Sequence, residues 1–533
     1  MKPTFTDLRD GLILADFPGV SDDAANRAAV ALARALSEAG AGLGPRGLRD
    51  AIPAARTLLL SFDPLRLSHD AVRAAASRAR LDAPAGAPAR TLELPAAFDG
   101  DDLDDVATAA GLSAGELVAA YTAAEYRVAF LGFSPGFPYM TGLPEKLRTP
   151  RLPTPRLRVP AGSVAIGGGW TGVYPSATPG GWRLIGRSAT RIFDPRRSPP
   201  ALFAAGDRVR FVAVGESIAP PPRGVSPTTA LEESRGAPLF RVIRPGLWSA
   251  IVGAPRWGMA SSGIPPGGPM DARAFAAANA AAGNPAGAGA LEMAVDGPEL
   301  EALAPCVAAV RGAERPLACG GSPRPHGQPF AVAAGDRLSF GRARKGMRSY
   351  LAIAGGLREA EETWQTRRLD RGDALFAAVL GTAEAATATA RSPHAADAGA
   401  AGMTLRAIPG PHAGMFTPGS VDAFFAAEWR VSPQSDRRGL RLEGARLRHA
   451  RPEDAEVPPV GAAPGSVQVP GGGEPIVLGP DGPVTGGYPR IATVIGADLH
   501  LLGRAAPGDL LRFAPATLGE ALAAASRAGR EYD

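Results

Sequence analysis

The spacing of apolar positions changes several times along the first hundred residues. A short apolar strand comes first. NRAAVALARALSEAG (26–40) then repeats apolar residues at three- and four-residue intervals, as one helix face does, and a second helical period runs from His69 to Leu81. Between them RTLLLSF (56–62) is an apolar run of strand length, and TLELPAAF (91–98) alternates as a strand does. The pattern predicts a small α/β unit over residues 1–100. Ser113 with Glu116 three residues later forms a capping box that opens a helix over LVAAYTAA, followed by the apolar strand YRVAFLGF. From there to Val212 short apolar stretches are broken by Pro and Gly, which reads as strand and turn.

Three motifs recur in the same order. AGSVAI (161–166) resembles PGSVQV (464–469), PGGWRLIGR (179–187) resembles TGGYPRIAT (485–493), and GDRVRF (206–211) resembles GDLLRF (508–513), at offsets of 302 to 306 residues. A kept order and spacing predicts related β-rich modules, one in each half. A further GDRLSF (335–340) combines a Gly-Asp turn with an alternating strand. AVGESIAPPPRGVSPTTALEESRG (213–236) lacks periodicity and reads as an interdomain linker; 383–400 is a second low-complexity stretch.

Composition narrows the class. With 67 Gly and 53 Pro in 533 residues, turns are frequent, which favours many short strands over long helices. The net charge of +5 is carried almost wholly by scattered arginines, since lysine occurs only at Lys2, Lys146 and Lys345, so no basic patch points to nucleic acid. Cys306 and Cys319 are too few for a disulfide framework, and neither a signal peptide nor a stretch of about twenty apolar residues is evident, so the expected location is the cytoplasm, away from membranes. The six histidines show no metal-ligand spacing, and no Walker-type loop or G-x-S-x-G elbow occurs.

FLGFSPGFPYMTGLPEKLRTPRLPTPRLRVPAGSVAIGGGWTGVYPSATPGGWRLIGR (130–187) resembles the B-type subunits of bacterial ATP-dependent 5-oxoprolinase. RPGLWSAI (244–251), SSGIPPGGPMDARAF (261–275), SDRRGLRLEG (435–444) and GSVQVPGGGEPIVLGPDGPVTGGYPRIATVIGADL (465–499) resemble the C-type subunits, so the chain is similar to a fused B/C pair. The resemblance implies an α+β, β-rich fold: tandem cyclophilin-like β-barrels with a small N-terminal α/β domain. The expected division is 1–100 (α/β), 101–212 (B-type barrel), 213–237 (linker) and 238–533 (C-type half). It departs from the family at Tyr121, where His is common, at 252–253, and at Val484, where Gln is usual.

The implied activity is ATP-dependent opening of 5-oxoproline to glutamate with a separate A-type subunit, self-association being left open. Amide resonance makes the lactam carbonyl a poor electrophile, and phosphorylating its oxygen would create an imidate that water attacks, given donors arranged around the developing charge. Glycine-rich turns and Arg156, Arg158 and Arg183 suit an anion. Arg156, Ser163, Gln468, Thr485 and Asp436 are the catalytic candidates. Ser134, Lys146, Tyr174, Trp182, Arg183, Asp271, Glu292, Ser435, Arg437 and Tyr488 are the substrate-binding ones. Several have a plain structural reading: Ser134 can cap a turn, Lys146 can sit on an exposed loop, Tyr174 and Trp182 can pack in a core, Asp271 can cap the helix that carries Asn279, Glu292 needs a buried partner, and Ser435–Arg437 can form a self-paired turn. The B-type loops around Arg156, Ser163 and Trp182 are expected to meet the C-type segment around Gln468, Thr485 and Tyr488 in a cleft. Two other readings remain: carboxyl transfer as in urea amidolyase, with biotin carried by another chain because no Met-Lys-Met site occurs here, and non-catalytic regulation of a histidine kinase.

Overall fold

The computed structural model of the chain describes residues 2–37, 47–79, 81, 90–215, 237–358, 366–378 and 403–530. Most of the expected linker (216–236) and the stretch 383–400 lie outside them.

The chain opens on a hairpin, Thr4–Arg9 and Leu12–Asp16, where the sequence suggested one strand. Thr57–Phe62 and Leu48–Pro53 extend it to a four-stranded sheet. Alternation assigns the two faces: Ile13, Ala15, Leu58 and Leu60 pack under helices Asp22–Ser37 and His69–Arg78. Leu12, Leu14, Ile52 and Leu59 point the other way, onto Ala260, Val457, Val460, Ala463 and Val484 of the C-terminal half. Both faces are therefore dry, which explains the unbroken apolar run at 58–60. Gly461 permits this contact, because a Cβ there would press on Leu59.

Asp50 ties the same junction by accepting N–H bonds from Gly258 and Ala260, both at 3.0 Å. Burial pushes its carboxyl up from 3.8 to about 6, partly offset by the Ala260 and Gly258 amides. A carboxyl raised in the folded state contributes stability that is full below its unfolded value and lost as pH rises through the folded one. Asp50→Asn should remove up to about 3 kcal/mol of that pH dependence between about pH 4 and 6. Urea melts of the two proteins across this window should show the wild type losing stability relative to the variant as pH rises.

Thr91–Ala96 does not join this sheet, although its alternation resembles that of the preceding strands. It pairs parallel with Arg208–Ala213, at the edge of a seven-stranded sheet that continues through Tyr126–Leu131, Pro138–Thr141, Trp170–Val173, Ser163–Gly167 and Arg183–Arg187. Ala97 and Arg187 exchange backbone bonds of 2.9 and 2.8 Å, so the sheet nearly closes on itself. Inside lie Val128, Met140, Val164, Ile166, Ile185 and Phe211, sealed by helices Leu103–Ala109 and Ala114–Thr122, the latter opened by the Ser113/Glu116 capping box.

The closed barrel at the other end repeats this wiring strand for strand. Met403–Pro409 pairs parallel with Leu510–Pro515, and Trp429–Val431, Gly439–Glu443, Ile476–Leu478, Ser466–Gln468 and Arg490–Val494 follow in the same spatial order. The recurrent motifs fall on equivalent strands. Between the barrels a six-stranded and a five-stranded sheet enclose their own core of Phe240, Leu291, Leu300, Leu338 and Leu351. The strand of GDRLSF, Arg337–Phe340, belongs here and not to a barrel. Among the described residues no helix is long and apolar enough to cross a membrane, and no cluster of His, Cys, Asp and Glu is placed to hold a metal.

Candidate functional site at the junction of the barrels

Residues that alternate with the first barrel's interior set form an aromatic wall on its outer face. Phe130 stacks on Tyr139 with centroids 4.5 Å apart, and Trp182 meets Tyr139 and Phe137 edge-on at 5.5 and 5.3 Å. Tyr174 meets Phe137 at 5.1 Å. Gly167 makes room, since a Cβ there would overlap the Trp182 indole. Burial pushes the Tyr139 phenol up to about 12, with Arg151 and Thr485 pulling the other way, and burial likewise raises Tyr174. Both phenols are thus neutral hydrogen-bond donors at physiological pH.

The second barrel reaches this wall with TGGY. The Thr485 hydroxyl accepts the Phe133 N–H at 3.0 Å and lies close enough to the Tyr139 phenol to favour its ionised form slightly. Phe133 adopts φ 62°, a left-handed conformation that costs a non-glycine residue about 1–3 kcal/mol. The strain directs its N–H to Thr485 while its ring packs on Phe137 and Tyr174. At Gly132 a Cβ would overlap the Thr485 hydroxyl. Gly132→Ala is expected to destabilise the protein by about 1–3 kcal/mol through this overpacking. The cost should shrink when combined with Thr485→Gly; equal costs in both backgrounds would show that the two positions do not couple.

The SPGF turn also docks on the SSGIPPGG segment: Gly136 N–H donates to Ser262 O at 2.9 Å, and Leu131 and Ser262 form an isolated bridge. A buried charge network holds that segment. Glu292 accepts from Met270 N–H (2.9 Å), the Tyr350 hydroxyl (2.8 Å) and Arg437 Nη1 (2.9 Å), with Arg348 Nε at 3.4 Å. Arg437 also grips Asp481 through Nε and Nη2 (2.8 and 3.0 Å) and donates to Gly268 O at 2.6 Å. Asp271 caps helix Ala272–Ala281 and receives Arg504 Nε at 2.9 Å, while Asn279 donates to Ala288 O.

The sequence-derived candidates therefore separate. Trp182, Thr485 and Tyr488 meet around Tyr139; Gln468 joins them through its carboxamide, which lies against Gly486. Ser163 is buried in its strand and Tyr174 lies within the wall; Ser134 is buried at the turn, its hydroxyl unpartnered among the described residues. Arg156 turns to Asp102 at 2.8 Å and Arg183 to Asp105 at 3.4 Å. Glu292, Arg437 and Asp271 position the neighbouring segment. Asp436 is exposed and accepts the N–H groups of Arg438 and Gly439, Ser435 bonds Arg441 across the same turn, and Lys146 is exposed. Tyr121, at the family's histidine position, bonds Thr171 at 2.6 Å inside the barrel.

Motif reasoning misses Arg490. It pairs in register with Gln468, and although it is 1% exposed, both its terminal guanidinium nitrogens lack a hydrogen-bond partner among the described residues. Burial pushes it down to about 10. His412 gives it no counter-charge: its ring accepts the Arg490 backbone N–H at 3.0 Å and is held neutral, at about 3, by burial and by the guanidinium. The repeat contained the signal, because Leu184 stands at the equivalent place in the first barrel. A charge where its duplicate is apolar, left unpaired on folding, is a candidate to receive an anion.

Two families match the chain: "Carboxyltransferase domain, subdomain C and D" over residues 3–203 and "Carboxyltransferase domain, subdomain A and B" over residues 262–515. The B-type 5-oxoprolinase subunit of Escherichia coli O157:H7 is 53% identical over 132 residues, 24% of this chain and 61% of that protein. The chain thus spans under two thirds of that relative's length. The C-type 5-oxoprolinase subunit of Escherichia coli (strain K12) is 34% identical over 308 residues, covering 55% of this chain and 97% of the relative. The crystal structure of TTHA0988 superposes with a TM-score of 0.82 at 36% identity, covering 94% of this chain and 99% of that one.

Proposed function

The chain belongs to the carboxyltransferase-like family that includes the B-type and C-type subunits of 5-oxoprolinase, here fused in one polypeptide, and from that membership we propose that it is the B/C component of an ATP-dependent 5-oxoprolinase. The observation that carries the reading is the buried, unpaired Arg490 beside Gln468, where the second barrel meets the aromatic wall of the first. 5-Oxoproline offers a carboxylate for a guanidinium and a ring amide for phenol and carboxamide donors. Arg490 would take the carboxylate; Tyr139 and Gln468 would orient the lactam. ATP is a co-substrate of the complex, supplying the phosphoryl group that activates the lactam oxygen, and the A-type partner is expected to bring the groups that handle it. This chain's residues would bind, orient and exclude water.

The test is reconstitution. The chain alone should turn over nothing; mixed with a cognate A-type partner it should release ADP only when 5-oxoproline is present, and Gln468→Ala should lower that rate about tenfold or more. A complex that forms without lactam-dependent ADP release sinks the reading. Carboxyl transfer to a biotin-carrying partner would then be the reaction to assay.

A further inference from the structure

A cavity of about 370 Å³ lies between the N-terminal sheet and the second barrel. It is separate from the aromatic wall, although Val484, next to Thr485, lines it. Its wall is mostly apolar, including Ile52, Trp257, Ala260 and Leu499, and its size lies in the range of small-molecule sites. The charged groups are unequally engaged. Asp10 already accepts the Gly496 N–H at 2.7 Å, and Asp50 accepts two backbone amides. Asp63 stands 3.7 Å from Arg49, beyond hydrogen-bond reach, and caps its own turn by accepting the Leu65 N–H. His500 is held neutral, at about 4, by burial first.

The two arginines are less occupied. Arg9 Nε is buried without a hydrogen-bond partner among the described residues, and its guanidinium faces Gly496, where a Cβ would come within 2.9 Å of Nη1. Arg49 lies over the Trp257 ring, 5.0 Å from its centroid, so its face is covered while its edge keeps donors available. Arg9 has Asp10 as its carboxylate neighbour and Arg49 has Asp63 at 3.7 Å, but with these carboxylates hydrogen-bonded to backbone amides the guanidinium donors left open suit a single carboxylate head; three carboxylates nearby disfavour more than one negative charge on it.

We infer that this cavity is a second ligand site, taking a small monocarboxylate with an apolar body, its head on Arg9 and Arg49 and its chain along Trp257 and Leu499. The inference does not depend on the reaction proposed above, and its test reads binding alone.

Hexanoate, hexan-1-ol and hexylammonium are titrated against the full chain by calorimetry. Hexanoate should bind saturably, at least about tenfold tighter than either analogue, the difference a charge-assisted hydrogen bond supports. Arg9→Met and Arg49→Met should each weaken it about tenfold. Ala497→Phe, which fills the cavity from a half-buried position and leaves both arginines in place, should abolish it. Absence of saturable hexanoate binding, preference for hexylammonium, or hexanoate binding that survives Ala497→Phe would each overturn the assignment.

Discussion

Replacing Arg490 with leucine is expected to make the protein more stable and its complex inactive. The guanidinium is buried with no carboxylate and no hydrogen-bond acceptor on its terminal nitrogens among the described residues, so folding bears its desolvation without return. Leucine already occupies the equivalent site in the first barrel, at position 184, so the fold accommodates that shape on this face. Removing an uncompensated buried charge should stabilise by about 1–4 kcal/mol, seen as a higher urea midpoint with an unchanged slope. If Arg490 holds the substrate's carboxylate, lactam-dependent ADP release should fall about a hundredfold or more. Opposite signs on the two measurements are the mark of a residue kept for function. A variant that is less stable would show that Arg490 holds the fold, and one that is more stable but fully active would remove it from the site.

Arg437→Met should have the largest effect on folding, a loss of about 3–5 kcal/mol. The substitution leaves Glu292 fully buried with Arg348 as its remaining cation and leaves Asp481 without its paired contacts. The carbonyl of Gly268 also loses its donor, in the segment that docks on the SPGF turn. Glu292→Leu alone should cost a similar amount, for the converse reason. The double variant should be markedly less destabilised than the sum of the two, because neither charge is then stranded. Additive losses in chemical denaturation would mean that the two residues act independently.

The duplicated architecture was legible because GSVQV, TGGYPRIAT and GDLLRF preserve the turns and alternation of their first-half counterparts, and turn chemistry is local. GDRLSF shows the limit. The same local rules form its turn and strand, but the strand pairs within a different sheet, since alternation specifies faces and not neighbours. Thr91–Ala96 pairs away from the small α/β unit for the same reason. Trp182, Thr485, Gln468 and Tyr488 lie in motifs that single them out as candidates, whereas Tyr139 and Arg151 gain significance only when the second barrel packs on the first. Glu292 needed a partner by burial alone, but that partner is Arg437, 145 positions away, and no periodicity reports such a pairing. Arg490 could have been found by comparing the two copies position by position.

The strand order bears on how the chain is made. In each barrel the first strand pairs with the last, 91–96 with 208–213 and 403–409 with 510–515, so neither can close until its final strand has left the ribosome. The N-terminal sheet waits longer: Leu12, Leu14, Ile52 and Leu59 meet their main cover only when residues 457–484 emerge, some 400 positions later. At translation rates of roughly 5–20 residues per second, that apolar face stays bare on the nascent chain for about 20–80 s. During synthesis it is the surface that a chaperone would have to shield, and the place where an incomplete chain would first aggregate.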